Sequence, residues 1–398
     1  METTPDYHYR YNRFFLTSIG QWPYLSPIYK VSNLILTIFF IGSLGYLQIG
    51  GMITAWIDVP VFLESVPPTL IDLMCYVKLA NFIYNADKMK KLLDLIYDDW
   101  NTFNDKKERE ILNEWAENSK KNTIFYAGAL YGSMAVFMLG PLLPMFMKLM
   151  PEGLLPLDAN FTETKLLMFN VKYIVDTEKY YYSLLIHSYF GALGYLTVAV
   201  AIDSMFMVYV QHACAVFCII GYRLKQLVDN DNVDINFYPS IQNDKSYHRI
   251  VECIVTHTKV LQYAQLIESA NSLSFLFQLG LNMVCISFTG FQASTKLDRP
   301  EEAVRFASFT VTQLFHLFFE SWPSQRLADE SIRISEYLTE SHWYLTSIKS
   351  RKLLQIFILK TTQPCVLTAG SLYILNLENF SAVVRTSMSY FTVLCSMQ

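Results

Sequence analysis

Apolar stretches of twenty residues or more alternate along this chain with blocks dense in charge. No other feature restricts the fold as much. An α-helix needs about 20 apolar residues to cross the hydrocarbon core of a bilayer. Lipid offers the backbone no hydrogen-bond partner, so only helices and closed barrels can span it. The first candidate is "VSNLILTIFFIGSLGYLQIGGMITAW" at 31–56, and the second is 67–86, which Pro67 and Pro68 are expected to start. A charged stretch, 87–122, cannot span. The third candidate is 123–149, the fourth runs from Tyr181 to about Gly221, the fifth from Tyr247 to about Phe291 and the sixth from Glu301 to Trp322. A polar segment, 323–350, precedes an apolar C-terminal region. Composition agrees: 52% of residues are hydrophobic and only 17% charged, against roughly 25% charged in soluble domains.

The fourth and fifth candidates hold about 40 residues or more, roughly 60 Å of helix, twice the thickness of a bilayer core. About half of each should therefore project into water. Arg223, Lys225 and Gln226 close the fourth, and Lys245, His248, Arg249 and Glu252 open the fifth, so both project to the same side. Basic residues orient the chain. Segments 1–30, 87–122, 222–250 and 322–352 hold 20 Lys and Arg, whereas 57–66, 149–182, 292–302 and the C-terminus hold 5. With an odd number of spans, the N-terminus is expected in the cytosol and the C-terminus outside. The first apolar run begins too late for a cleaved signal peptide. The sequon Asn160-Phe161-Thr162 falls in an outside loop and is a candidate glycosylation site; the match at Asn379 lies at the membrane and is read as chance.

Two helices share the C-terminal region. Residues 345–373 contain Pro364, which breaks a helical ladder. Asn376 has the form of an N-cap, with Glu378 in the first turn. The helix 377–397 rises about 31 Å, enough to cross the core once, which accounts for a chain that ends without a polar tail. Along it Ser381, Arg385, Ser389, Thr392 and Ser396 recur every three or four residues and form one stripe. Small hydroxyl residues commonly pack helix on helix. A charge within a membrane faces protein or water, so Arg385 tilts the reading toward the wall of an aqueous path.

The tail "LLQIFILKTTQPCVLTAGSLYILNLENFSAVVRTSMSYFTVLCSM" (353–397) resembles the C-terminal signature of insect odorant receptors. The matching features are Leu353-Leu354, Pro364, Ala369-Gly370, Leu375 to Phe380, and Ser389 to Leu394. The seven spans and the derived orientation extend the resemblance over the whole chain, and the leader "RYNRFFLTSIGQWP" is similar to hymenopteran members. The resemblance implies an all-α membrane protein with a single domain. Its parts would be a cytosolic leader 1–30, helices with cytosolic extensions over 31–322, a cytosolic anchor helix within 345–373 and a pore helix over 376–398. It implies a subunit of an odorant-gated, non-selective cation channel in the plasma membrane of olfactory sensory neurons. Four subunits would surround the pore, and the short loop 226–246 marks an odour-tuning subunit that works with a shared co-receptor. The expected partners are that co-receptor, a volatile odorant, membrane lipid and permeant cations, without nucleic acid, cofactor or metal.

The resemblance places a hydrophobic gate at Val393 and Met397, with Ser396 beside them, on the helix that carries Ser389, Thr392 and Arg385. It places the ligand among helices two, three, four and six. Candidate contacts are Leu73, Tyr76 and Val77; Ser133, Val136 and Phe137; Tyr189 and Phe190; and Phe306, Phe309, Thr310 and Gln313. Each of these, taken singly, is also a plausible core residue. Five charges fall within apolar stretches, namely Asp72, Lys78, Asp203, Glu268 and Glu320, and Lys78 is read as paired or snorkelling.

Rival classes fit less well. A G-protein-coupled receptor would have its N-terminus outside, against the charge count, and its Asp-Arg-Tyr and Asn-Pro-x-x-Tyr runs are missing. A gustatory receptor shares the architecture, but "SYFTVLCSMQ" stands where its Thr-Tyr-x-x-x-x-Gln-Phe would be. The scattered histidines form no enzyme motif; His212 and His316 are read as core residues at a similar depth. Cys214 and Cys218, one turn apart, suit packing.

Overall fold

A computed structural model describes residues 5–142, 167–169, 171–173, 175–228 and 237–396. The candidate glycosylation site Asn160 and the candidate gate residue Met397 lie outside the described residues. The described helices are α1 (Pro5–His8), α2 (Arg10–Ser18), α3 (Pro27–Thr54), α4 (Val59–Tyr84), α5 (Ala86–Thr102), α6 (Lys106–Leu139), α7 (Tyr181–Lys225), α8 (Lys245–Thr295), α9 (Pro300–Glu340), α10 (Ile348–Thr361) and α11 (Leu377–Ser396). Helices α3, α4, α6, α7 and α8 are each long and apolar enough to cross a membrane. Helices α9 and α11 complete the seven. They are more polar: Gln313, His316 and Glu320 on α9 are buried against protein, as is Ser387 on α11, whereas Ser381, Arg385, Ser389 and Thr392 on α11 are exposed.

Helix α7 is the central post. Every residue from Val200 to Phe217 is buried, as expected of a helix apolar on all sides. Helices α6, α8, α9 and α3 pack around it. The leader does not float in water: Leu16, Ile19 and Trp22 are buried, and Asn12 Nδ2 donates to Thr123 Oγ1 (3.2 Å) and Ser204 Oγ (3.0 Å).

Three boundaries differ from expectation. Helix α4 starts at Val59, where the Asp58 side chain accepts from the Val61 amide at 3.4 Å, and it runs through Pro67 and Pro68 instead of starting at them. Membrane helices tolerate proline because neighbouring helices and hydroxyl side chains compensate; Ser65 and Thr69 both donate to carbonyls one turn back. Helix α9 continues past Pro323 to Glu340. The segment read as merely polar buries Leu327, Ile334 and Leu338 on one face, so its amphipathic pattern outweighs a single proline. Helix α6 likewise begins inside the charged stretch, at Lys106.

At about 1.5 Å per residue, α7 and α8 span on the order of 70 Å. Their ends pack with α5, α9 and α10 into a helical extension. There Asp244 caps α8 by accepting from the Tyr247 amide (2.9 Å) and also accepts from the Ser347 and Ser350 hydroxyls at the start of α10. A short hairpin, β1 (Thr368–Ala369) with β2 (Tyr373–Ile374), then turns the chain into α11. Gly370 has φ +61°, and a Cβ there would strike Leu276, so the turn requires glycine. As expected, Asn376 caps α11, its Oδ1 accepting from the Asn379 amide at 2.7 Å.

Candidate ligand cavity

Five helices, together with Met168 and Phe169, line a cavity of about 120 Å³. Helix α4 contributes Pro68, Ile71, Asp72, Cys75 and Lys78, spaced three or four apart on one face. Helix α6 contributes Leu130, Ser133, Met134 and Phe137, and α7 contributes Ala192, Tyr195, Leu196 and Ala199. Helix α9 supplies Ser308, Phe309, Thr312, Gln313 and His316, and α3 supplies Gln48. At about 10–15 Å³ per water-sized group, the volume suits on the order of ten non-hydrogen atoms. The walls are largely aliphatic and aromatic, with few polar groups, as in small-molecule sites generally.

Two devices shape it. At one end, Arg305 Nη2 donates to the Met168 carbonyl (2.5 Å), and its guanidinium lies 4.8 Å from the Phe137 ring centre. Phe137 meets Phe309 edge-on with ring centres 5.0 Å apart. On the α3 side, the Tyr76 and Tyr195 hydroxyls both donate to the Ile41 carbonyl, at 2.8 and 2.6 Å. Gly45 makes room for them, because a Cβ there would collide with both hydroxyls.

The floor is a buried charge cluster. Lys78 Nζ donates to Asp203 Oδ1, to His316 Nε2 (2.8 Å) and to Glu320 Oε1 (3.0 Å). Tyr126 Oη donates to the other Asp203 oxygen at 2.7 Å. Asp203, His316 and Glu320 lie close enough together to hold a metal ion, but the Lys78 ammonium already donates to all three. Lys78 is 2% exposed, so it is paired and does not snorkel. His316 therefore belongs to this cluster, whereas His212 pairs with Asp99 at 2.9 Å in the helical extension; the two histidines do not meet. Glu268 accepts from Thr368 Oγ1 on the hairpin.

Of the twelve candidate contacts, Ser133, Phe137, Phe309 and Gln313 line this cavity. Leu73, Val136 and Phe190 point outward and are exposed. Tyr76 and Val77 are half-buried beside the wall, with the Tyr76 hydroxyl turned to α3. Tyr189 donates to the Met138 carbonyl (2.6 Å), Thr310 to Thr289 Oγ1 (2.8 Å), and Phe306 packs under Lys296. On α4 the chosen residues sit about one residue, or 100°, out of phase with the lining, and on α7 Phe190 faces away from it while Tyr189 lies nearer the helix start than the lining residues. Gln48, Asp72, Cys75, Tyr195 and His316 were missed as lining; the polar residues among them carried a signal, since a polar group in an apolar stretch marks an inward face.

On α11, Val383 and Ser387 are buried, and the Ser387 carbonyl accepts from Ser287 Oγ on α8 at 3.0 Å. The opposite side is open: Ser381, Arg385, Ser389, Thr392, Val393 and Ser396 are all exposed.

Seven membrane helices that enclose a small apolar cavity make this a multi-pass membrane protein of receptor form. The whole fold is similar to the insect olfactory receptor OR5 from Machilis hrabei solved with eugenol, with a TM-score of 0.78 and 15% identity over 98% of this chain and 97% of that one. Odorant receptor 13a of Drosophila melanogaster is 23% identical over 85% of this chain and 81% of its own length. Odorant receptor 9a of the same species is 25% identical; that match spans about half of each protein, 50% of this chain and 48% of the relative. The 7tm Odorant receptor family matches residues 58–388, and the chain belongs to that family. It is not an enzyme family.

Proposed function

We propose that this chain is the odour-tuning subunit of a ligand-gated, non-selective cation channel, in which four subunits, including a shared co-receptor, surround a pore. The observation that carries the reading is the open face of α11. Five residues of its polar stripe, Ser381, Arg385, Ser389, Thr392 and Ser396, are exposed together, while the other side of the helix is buried against α8. Among the described residues, no carboxylate pairs with Arg385. Lipid would disfavour such a face, whereas a shared aqueous path would not. Val393, 54% exposed on the same side, and Met397 form the gate; apolar rings one turn apart stop ions by dewetting.

The cavity between α4, α6, α7 and α9 is the odorant site, with Ser133, Phe137, Phe309 and Gln313 among its contacts. The N-terminus is cytosolic and the C-terminus extracellular. The leader 1–30 is then cytosolic, the ends of α7 to α9 with α10 form the cytosolic anchor of a single domain, and Asn160 lies outside. The receptor resides in the plasma membrane of olfactory sensory neurons.

The test is whole-cell current during an odorant panel, in cells expressing this chain with and without the co-receptor. A fast cation current that requires both chains is the expected result. Responses that persist when cations are replaced by an impermeant ion, or that require G-protein signalling, would overturn it.

A further inference from the structure

The cavity is mostly apolar, yet it holds several unmatched polar atoms. Among the described residues, Gln48 Oε1 and Nε2, Asp72 Oδ2 and His316 Nδ1 are buried without a hydrogen-bond partner. All three residues line this one cavity, and they are only 2%, 4% and 8% exposed. The side chains that might have answered them are engaged elsewhere. Lys78 is committed to Asp203, Glu320 and His316 Nε2, and the Tyr195 hydroxyl, which also lies beside the Asp72 carboxyl, has its one proton committed to the Ile41 carbonyl. Leaving a buried polar group unmatched costs about 1–3 kcal/mol, so such groups call for a partner that enters the cavity.

From this we infer that the ligand is a volatile carrying a hydroxyl group, an alcohol or a phenol, whose head sits between Gln48 and Asp72. The inference rests on the cavity being the odorant site. A hydroxyl both donates and accepts. Its proton suits Asp72 Oδ2, and its oxygen suits Gln48 Nε2. An ether or ester accepts only and leaves Gln48 Oε1, which can only accept, without a donor. A carboxylic acid, ionised in water, would bring a further negative charge beside Asp203 and Glu320, which already outnumber the Lys78 ammonium. An ammonium ion would have to leave water for a cavity whose one lysine is close by, and burying an ion costs several kcal/mol. The rest of the ligand, on the order of ten heavy atoms by volume, fits the aliphatic and aromatic wall.

The test uses the full chain with its co-receptor and a size-matched panel: octan-1-ol, heptyl methyl ether, nonane, octylamine, octanoic acid, 4-ethylphenol and 4-ethylanisole. Octan-1-ol or 4-ethylphenol should be the most potent activator. Gln48→Leu and Asp72→Leu should each weaken it about tenfold, the loss of one hydrogen bond, while the response to nonane, which makes no hydrogen bond, stays unchanged. Asp72→Asn, which keeps an acceptor in place, should recover most of the loss. Surface labelling confirms that each variant reaches the membrane.

The inference falls if no hydroxyl compound activates, if the ethers or nonane match the alcohols in the unsubstituted chain, or if the leucine variants weaken all compounds alike. Phe309→Ala and Ser133→Leu separate this failure from that of the cavity itself. If these two variants alter every response while no alcohol preference exists, only the head-group assignment is wrong. If they alter none, the cavity is not the odorant site and both readings fall.

Discussion

Replacing Lys78 by Met tests what the cluster beneath the cavity does for the fold. Among the described residues, Lys78 is the only lysine or arginine that contacts both Asp203 and Glu320. His316 Nε2 lies 3.1 Å from Asp203 and 3.6 Å from Glu320 and cannot balance both carboxylates. Two magnitudes compete. If the three donations from Lys78 acted as ordinary hydrogen bonds between membrane helices, at about 0.6 kcal/mol each, their loss would cost about 2 kcal/mol. If instead the ammonium offsets part of the charge of two buried carboxylates, removing it leaves both uncompensated, which costs about 3–5 kcal/mol. Full burial of all the partners favours the larger figure. Against total stabilities of about 5–15 kcal/mol, Lys78→Met should lower the melting temperature in detergent by on the order of 10 °C and deplete surface receptor. The control is the triple variant Lys78→Met, Asp203→Asn, Glu320→Gln, which removes all three formal charges and should restore most of the loss. The assay is thermal unfolding followed by fluorescence-detected size-exclusion chromatography. A Lys78→Met protein that melts with the parent, or a triple variant that melts below the single one, would refute the charge-compensation argument.

Three further outcomes follow from other parts of the molecule. Val393→Ser places a polar side chain in the proposed gate and should raise basal current or alter ion selectivity; unchanged gating and permeation under patch clamp would remove Val393 from that role. Asp244→Ala deletes the cap of α8 and its two hydroxyl links to α10, so it should cost about 1–2 kcal/mol and speed proteolysis near residues 237–250 without shifting odorant potency. Burial, and then the nearby Glu268 charge, push the Cys365 thiol up to about 12. At pH 8 only about one thiol in ten thousand is then ionised, so iodoacetamide should label Cys365 far more slowly than a free cysteine in unfolded chain; rapid labelling in the folded protein would contradict its burial.

The sequence by itself determined the number and approximate place of the membrane helices, because lipid demands about twenty apolar residues per crossing and the chain alternates accordingly. It also determined the excess length of α7 and α8, the Asn376 cap and the shared stripe on α11, since these depend on local spacing alone. The course of α4 through Pro67 and Pro68 and of α9 through Pro323 was not legible, because whether a proline ends a helix depends on neighbours that the chain supplies from elsewhere. The cavity wall was legible only in part. Phe137, Phe309, Ser133 and Gln313 were placed by helix and depth, but the rotation of α4 and α7 was not. A helix that is apolar on most faces gives little rotational signal, so Tyr76 and Tyr189 looked as suitable as Cys75 and Tyr195. Only the packing of α4, α6, α7 and α9 brought Lys78, Asp203, His316 and Glu320 together from positions up to 242 residues apart. The packing of α3 and α4 also left the Gln48 amide and Asp72 Oδ2 facing an apolar cavity without a hydrogen bond among the described residues, because the partner of a buried polar group is a matter of three-dimensional neighbours and not of sequence spacing.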